Sequence, residues 1–157
     1  MDPDKAKVLE ELRTATRILV REGVLDGFGH VSVRSPVDPG RYFMLRSNTG
    51  DASDPGRYAE LTLDSEPVGQ GGARPSLERF IHGEIYGARS DVNPIVHTHS
   101  PALIPFGVSK TPLRSLYHMC AFLPPAVPVF DIRLEHGMTN MLATSRGLDE
   151  PPTERHV

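Results

Sequence analysis

The sequence predicts an α/β protein with three layers, helix, sheet and helix, around a mixed, largely antiparallel central sheet. Two amphipathic helical patterns and several short strand-like segments alternate along the 157 residues. Each pattern has one apolar side that another element must cover, and a layered domain achieves this. A chain of this length can bury the core of one domain. We place that domain at residues 1–143 and expect a polar C-terminal tail at residues 144–157.

The first helix is predicted to begin near Asp2 and to end near Gly23. Asp2 can accept hydrogen bonds from the first backbone N–H groups, and Pro3 suits the first turn. Apolar residues then recur at spacings of four, three and four, which forms one helix face. The residues of this face are Val8, Leu12, Ala15 and Leu19. Glycine at position 23 is typical of a helix end.

At residues 27–34 a glycine turn leads into alternating apolar and polar residues, which predicts a strand, and residues 42–45 and 60–63 are also strand-like. A second helix is predicted to start at a Ser76 cap. Its apolar side contains Leu77, Phe80, Ile81 and Ile85. A fourth strand should carry His97 and His99. A short helix at residues 102–106 and a strand at residues 127–132 complete the prediction.

Composition narrows the class of protein. The 17 Lys and Arg residues nearly balance the 20 Asp and Glu residues, for a net charge of -3. The sequence has no stripe of basic residues of the kind that indicates a nucleic-acid partner. The apolar run at residues 121–130 is short and broken by three prolines, so it does not predict a membrane span. The single Cys120 and the charged N-terminus favour a cytoplasmic protein without disulfides.

The pair His97 and His99 is the most informative feature of the sequence. Side chains at positions i and i+2 of a strand project from the same face. Two imidazoles held in this way can bind one divalent metal, and a third ligand elsewhere would leave a position open for substrate. Paired histidines are also common as surface or core residues, so the pair alone does not decide between these interpretations.

Four segments together resemble the class II aldolase/adducin family. They are Gly29-His30-Val31-Ser32-Val33-Arg34, Ser47-Asn48-Thr49-Gly50, Pro75-Ser76-Leu77-Glu78 and Val96-His97-Thr98-His99. The segments at 117–119 and 127–133 look like the decarboxylase-type branch. The resemblance covers about residues 8–142. It implies a metal-dependent carbon–carbon lyase, either a decarboxylase of a hydroxy-carboxylic or aromatic acid or an aldolase for a sugar-type substrate. The alternative is a non-catalytic, adducin-like assembly module.

By the same resemblance, His97 and His99 match metal ligands and Glu78 matches the residue that serves as general acid/base. Zinc is the first choice of metal, with manganese or iron as alternatives. The resemblance also implies a small-molecule substrate and a homo-oligomer with active sites at subunit interfaces. The implied substrate-binding residues are Gly29, His30, Asn48, Thr49, Gly50, Ser76 and His118.

The family places a third metal-binding histidine in a later strand, and this chain looks shortened before that point. The histidines left for that role are His136 and His156, and neither has the expected neighbours. Water, Glu78 or a neighbouring subunit are the other ways to complete the site.

Each remaining assignment has an ordinary structural alternative. Glu78 in a first helical turn would favour the helix dipole whatever its function. His30 can serve as a turn residue that bonds its own backbone. His82, one turn after Glu78, is expected to be a solvated helix residue. His118 can be a partly buried structural histidine.

Overall fold

The computed structural model of the protein describes residues 2–45, 58–69, 76 and 78–129. The elements in this part are α1 (Pro3–Arg21), β1 (His30–Arg34), β2 (Arg41–Leu45), β3 (Tyr58–Thr62), α2 (Arg79–Ala88), β4 (Pro94–His97) and α3 (Ile104–Gly107), followed by a 3-10 turn at His118–Cys120. None of the described helices is both long and apolar enough to cross a membrane.

The four strands form one sheet in the order β3-β2-β1-β4, and all three pairings are antiparallel. Helix α1 packs on one face of this sheet, and α2 covers the other face. The predicted α/β fold class with a largely antiparallel sheet and helices on both sides is therefore confirmed. The register of β1 with β4 places His30 directly opposite His97.

Helix α1 forms where the sequence predicts it. The Asp2 side chain accepts hydrogen bonds from the backbone N–H groups of Asp4 and Lys5 and so satisfies donors that a helix start leaves open. Gly23 has a φ of 68°, a backbone conformation that favours glycine. The apolar face of α1 contributes to a core cluster built on Leu12, Leu25, Val31, Phe43 and Tyr58.

The opposite face of the sheet holds a second core cluster. It consists of Tyr42, Met44, Ala59 and Leu61 from β2 and β3, together with Tyr86 from α2. Neighbouring residues of β2 and β3 alternate between the two clusters, because strand side chains point to opposite faces in turn. The same alternation in β1 directs His30 and Ser32 toward α2, while Val31 faces α1.

Two predicted boundaries near the site are wrong. Helix α2 begins at Arg79 rather than at a Ser76 cap, and Glu78 occupies the capping position without bonding the helix backbone. The reason is that the Glu78 carboxyl group bonds His30 on β1 instead. Strand β4 ends at His97, so His99 lies just beyond it. The partner of His97, His30, is the first residue of β1, so β1 offers no residue for His99 to pair with.

The segment that follows β4 is sparsely packed. Helix α3 confirms the short helix predicted at residues 102–106, but it begins at Ile104 and ends at Gly107. Residues 127–129 are not in a strand; among the described residues, the backbone N–H of Val127 bonds the oxygen of Leu113, beside an isolated bridge between Arg114 and Ala126. Residues 130–132 and the predicted tail lie outside the described residues. Large hydrophobic side chains of this segment are exposed, namely Leu103, Ile104, Val108, Leu116, Tyr117, Met119, Phe122 and Val129.

Two glycines of α2 give a matched test of its packing. A Cβ atom at Gly83 would lie 2.5 Å from the backbone oxygen of Leu63 and would also overlap Ser65, whereas one at Gly87 would meet nothing within 4 Å. We expect Gly83→Ala to lower the free energy of unfolding by about 1–3 kcal/mol, since the backbone at Leu63 must move. Gly87→Ala should raise it by up to about 1 kcal/mol through helix propensity.

Chemical denaturation of both variants checks this prediction, with far-ultraviolet circular dichroism as the probe. Equal effects of the two substitutions would show that α2 does not approach Leu63 and Ser65 as closely as the structure shows.

Candidate active site

The site forms where β1 begins, β4 ends and α2 starts. The antiparallel register brings the imidazoles of His30 and His97 together, with ring centroids 4.7 Å apart and planes inclined by 15°. Glu78 reaches the same point from the capping position of α2. Three chain segments far apart in sequence therefore supply one group of polar side chains.

His97 and His99 direct the same ring nitrogen toward one another, although only His97 is in the strand. Their Nε2 atoms are 3.1 Å apart. Two imidazoles bound to one zinc ion in tetrahedral geometry have nitrogens about 3.3 Å apart, given zinc–nitrogen distances of about 2.0–2.1 Å. The spacing of the pair is close to that value, and the metal-binding role of His97 and His99 stays a prediction.

Asp26 orients His99 from behind. The Asp26 carboxylate lies 3.3 Å from Nδ1 of His99 and also accepts the backbone N–H groups of Phe28 and Gly29. These two backbone bonds lower the pKa of Asp26, which keeps it ionised. An N–H bond from Nδ1 to a carboxylate leaves the lone pair on Nε2, the arrangement usual for a metal-binding histidine.

The Glu78 carboxyl group lies between two histidines. Its Oε2 atom is 2.8 Å from Nε2 of His30, and its Oε1 atom is 3.8 Å from Nε2 of His97. One ligand atom from each of the three residues lies within 4.8 Å of the others, so they too form a group able to hold a cation. The carboxyl group thus stands next to the proposed metal position while bonded to His30.

A row of hydrogen bonds leads from Glu78 into the core. Nδ1 of His30 is 2.8 Å from Nε2 of His82, and Nδ1 of His82 is 2.6 Å from Oγ of Ser32. The Ser32 hydroxyl is 2.8 Å from that of Tyr86, which donates to the backbone oxygen of Asn93 at 2.9 Å. Each buried polar side chain in this row therefore has partners on both sides.

Exposure changes steadily across the site. The side chain of His30 is fully buried, Glu78 is 19 % exposed, His97 is 23 % exposed and His99 is 35 % exposed. Solvent therefore reaches the site from the His99 side, and the His30 side is buried.

Burial sets the charge state of the inner histidines. It lowers the pKa of His82 to about 3 and also lowers the pKa values of His30 and His97, because a charged imidazole loses its hydration there. All three rings are thus held neutral around pH 7. A neutral imidazole is the form that binds metals and accepts hydrogen bonds.

The sequence-based expectations for the other histidines have different outcomes. His82 is fully buried, so its predicted solvated position on the helix is wrong; the ring points at His30 and Ser32 rather than at solvent. His118 is exposed, and its ring contacts Tyr117 at 4.2 Å. Its substrate-binding role stays a prediction. Asn48, Thr49, Gly50, His136 and His156 lie outside the described residues.

Gly29 and Ser76 support the site through the backbone. A Cβ atom at Gly29 would lie 2.8 Å from the Leu25 side chain and 3.0 Å from the backbone oxygen of His97, so only glycine lets the turn approach β4. The Ser76 hydroxyl accepts the backbone N–H of Glu78 at 3.3 Å. The binding of substrate by these two residues stays a prediction.

Sequence reasoning missed Asp26, Ser32 and Tyr86 as parts of the site. Asp26 precedes a Gly-Phe-Gly turn, and aspartate in that position commonly bonds the backbone two or three residues later, which was a usable signal. Ser32 is two residues after His30 and shares its strand face. Tyr86 gave no signal, because a tyrosine in an amphipathic helix is an ordinary core residue.

Comparison with known proteins finds a family that matches the chain and curated proteins that are similar to it. The family described as Class II Aldolase and Adducin N-terminal domain matches residues 10–146. Decarboxylase tropJ of Talaromyces stipitatus is 38% identical over 117 residues, which are 73% of this chain and 44% of that protein. A 5-methylthioribulose-1-phosphate/5-deoxyribulose-1-phosphate aldolase of Rhodospirillum rubrum is 27% identical over 119 residues, 68% of this chain and 52% of that protein.

Solved structures agree on the fold. An L-fuculose 1-phosphate aldolase superposes with a TM-score of 0.67 at 22% identity, over 81% of this chain and 58% of the other. Identity at this level shows a shared fold and no more. The chain spans about half the length of the curated relatives it matches.

The neutral, buried His82 predicts a pH dependence of stability. Because its folded-state pKa of about 3 lies below the ordinary 6.5, its contribution is complete above about pH 6.5. Below that value the unfolded chain binds a proton that the folded chain excludes, so the free energy of unfolding falls as the pH falls toward about 3. One such group contributes up to about 1.4 kcal/mol per pH unit.

Urea denaturation from about pH 7 to about pH 4.5 checks this, comparing wild type with His82→Gln. As the pH falls, the free energy of unfolding of His82→Gln should decrease less steeply than that of wild type, by up to about 1.4 kcal/mol per pH unit. His118→Gln, which alters an exposed histidine, should keep the wild-type slope. Parallel curves for wild type and His82→Gln would contradict the buried, neutral state of His82.

Proposed function

Because the chain belongs to the Class II Aldolase and Adducin N-terminal domain family, we propose that it is a metal-dependent carbon–carbon lyase and, within that class, a decarboxylase of a hydroxy-carboxylic or aromatic acid. One observation carries the proposal. The Nε2 atoms of His97 and His99 converge at 3.1 Å, and the Glu78 carboxyl group stands 3.8 Å from the first of them. A Lewis acid and a proton donor would thus act on one substrate from adjacent positions.

His97 and His99 would hold the metal, with zinc as the first choice. Asp26 supports this by bonding Nδ1 of His99, which leaves Nε2 free to bind. A third protein ligand is not identified, and His136 and His156 remain candidates from the sequence. When bound, a divalent ion stabilises negative charge that develops on a substrate oxygen.

Glu78 would move the proton. In a decarboxylation, the bond between the carboxylate carbon and its neighbour breaks, carbon dioxide leaves and the electron pair stays on the neighbouring carbon. Glu78 in its acid form then gives a proton to that carbon, and the resulting carboxylate recovers a proton from water. Burial of its inner oxygen against His30 holds the carboxyl group in place for this transfer.

Two observations favour decarboxylation over cleavage of a sugar phosphate. The more similar of the two curated relatives described above, at 38% identity, is named a decarboxylase. His30, here the first residue of β1, stands at the position of an anion-binding turn in the sugar-phosphate members that the sequence resembles. Both of its ring nitrogens are bonded, to Glu78 and to His82, and it is 1% exposed, so it is not free to bind phosphate. The assembly-module alternative receives no comparable support from the described residues.

We also propose that copies of the chain associate through the segment from Leu103 to Val129. It exposes eight large hydrophobic side chains, including Leu116 at 87% and Phe122 at 83%. Apolar surface of this extent on one segment marks an interaction site. Analytical ultracentrifugation should show an oligomer for wild type and a smaller species for Leu116→Asp/Phe122→Asp. A wild-type monomer at micromolar concentration would refute this association.

The roles of Glu78 and His97 separate in one experiment. We expect Glu78→Gln to keep the metal but to lose turnover by about 10²–10⁴-fold, because an amide cannot transfer the proton. His97→Ala should lose both the metal and the activity. Metal content by elemental analysis, and carbon dioxide release from hydroxy-aromatic and other hydroxy-carboxylic acids, measure the two effects. Sugar phosphates serve as the comparison substrates.

Each part of the proposal can fail separately. Wild-type protein purified without chelator that contains no metal, and whose melting temperature no divalent ion raises, would refute the metal site. Normal turnover by Glu78→Gln would refute its role while leaving the lyase proposal in place. Release of an aldehyde from a sugar phosphate, without decarboxylation of any acid, would assign the chain to the aldolases.

A further inference from the structure

We propose that Phe28 determines the substrate specificity of this site by packing against the ring of a hydroxy-aromatic acid. The choice of an aromatic acid rests on the proposed function and narrows its substrate class. The family match and the names of the relatives assign no role to this residue. Because a phenyl side chain carries no charge and no hydrogen-bonding group, the surface that it recognises is apolar.

Phe28 lies on the solvent side of the candidate site. It is 72% exposed, whereas His30, two positions later, is 1% exposed. The Phe28 ring meets the ring of His99 edge to face, with centroids 6.4 Å apart and planes inclined by 79°. A single exposed hydrophobic side chain is ordinary on a protein surface. The distinctive feature of this one is its position beside His99, on the side from which solvent reaches the site.

The turn that carries Phe28 is held through its backbone. Oδ1 of Asp26 accepts the backbone N–H of Phe28 at 3.0 Å and that of Gly29 at 2.7 Å. The same oxygen lies 3.3 Å from Nδ1 of His99, so one carboxylate ties the turn to that histidine. A Cβ atom at Gly29 would lie 2.8 Å from the Leu25 side chain, because the turn packs closely on the core. The backbone at Phe28 therefore has a fixed place next to His99.

Burial determines the direction in which a bound molecule extends. The side chain of His30 on the interior side is fully buried, whereas those of Glu78 and His99 are partly exposed. A molecule that places its reacting group between His97 and Glu78 must leave the rest of its atoms on the exposed side. The Phe28 ring borders that side at His99. The part of the substrate that does not react thus meets a phenyl ring.

A phenyl ring at this position favours an aromatic substrate over a sugar phosphate. Aromatic rings pack in offset or edge-to-face pairs, which add about 2–10-fold in affinity beyond the effect of the apolar area removed from water. A phosphorylated sugar would place hydroxyl groups and a dianion beside a ring that can pair with neither. The enclosed position of His30, whose two ring nitrogens are both bonded, favours the same substrate class.

Three substitutions of Phe28 and one control form a graded series. Phe28→Tyr keeps the ring, Phe28→Leu keeps apolar volume without the ring, and Phe28→Ala removes both. Val37→Ala is the control, because Val37 is 50% exposed between β1 and β2, beyond the end of β1 that is remote from His30. All four alter exposed side chains, so the melting temperatures should stay close to that of wild type. If Phe28→Ala does not fold, Phe28→Leu against Phe28→Tyr provides the same comparison.

Calorimetric titration of the full chain tests the contact without requiring turnover, with metal content matched between variants. The probes are ortho-, meta- and para-hydroxybenzoate, with lactate as an aliphatic hydroxy acid of the same charge. Relative to lactate, Phe28→Ala should weaken the binding of the hydroxybenzoates that wild type binds by about 10-fold, and Phe28→Leu by less. Phe28→Tyr and Val37→Ala should keep the wild-type ratio of the two affinities.

Three results of the titration would overturn the proposal. The first is an unchanged ratio of affinities in Phe28→Ala. The second is an equal loss for hydroxybenzoates and lactate, which would attribute the effect to general damage. The third is a wild type that binds none of the hydroxybenzoates at millimolar concentration.

Turnover separates this specificity role from the proposed function. For a hydroxy-aromatic acid that wild type decarboxylates, Phe28→Ala should raise KM by about 10-fold and lower kcat by a smaller factor, because Phe28 lies beside His99 rather than at the reacting atoms. Carbon dioxide release with an unchanged KM in Phe28→Ala would overturn the specificity role and leave the lyase function in place. Binding of hydroxybenzoates that depends on Phe28, without carbon dioxide release from any acid, would do the reverse.

Discussion

The antiparallel pairing of β1 with β4 is the constraint on which the site depends. Because His30 lies opposite His97 in that register, the first residue of β1 meets the last residue of β4 at one end of the paired strands. A shift of one residue would turn either imidazole to the α1 face, since strand side chains alternate. Gly29 protects the register, because any side chain there would collide with Leu25 and the His97 backbone.

Arg34 connects this register to the inner end of the hydrogen-bond row. Its guanidinium donates to the backbone oxygens of Tyr86, Arg89 and Val92, which close the end of α2 and the loop before β4. Its backbone N–H bonds the same Asn93 oxygen that accepts from Tyr86. The last acceptor of the row is thus held in place by β1, the strand that also carries His30.

Sequence reasoning predicted the parts that depend on periodicity and on local backbone chemistry. The α1 cap at Asp2, the alternation in β1 and the shared side of His97 and His99 are of this kind, and the structure agrees with each. It failed for His82, since a histidine in an amphipathic helix looks like a surface residue until its partners are known. Those partners, His30 and Ser32, are about fifty positions away in sequence. The start of α2 was wrong for the same reason, because the bond to His30 takes Glu78 away from the helix end.

A row that ends in a backbone carbonyl differs physically from one that ends in a titratable side chain. A carboxylate or imidazole at the inner end could gain or lose a proton and so reverse every bond in the row, whereas a carbonyl only accepts at any working pH. Burial strengthens the row, because unpaired donors or acceptors in a dry interior are costly and each buried side chain of the row has a partner on both sides. The fold can therefore hold the His30 ring in place from its interior side through Ser32 and Tyr86, two core positions that carry no charge.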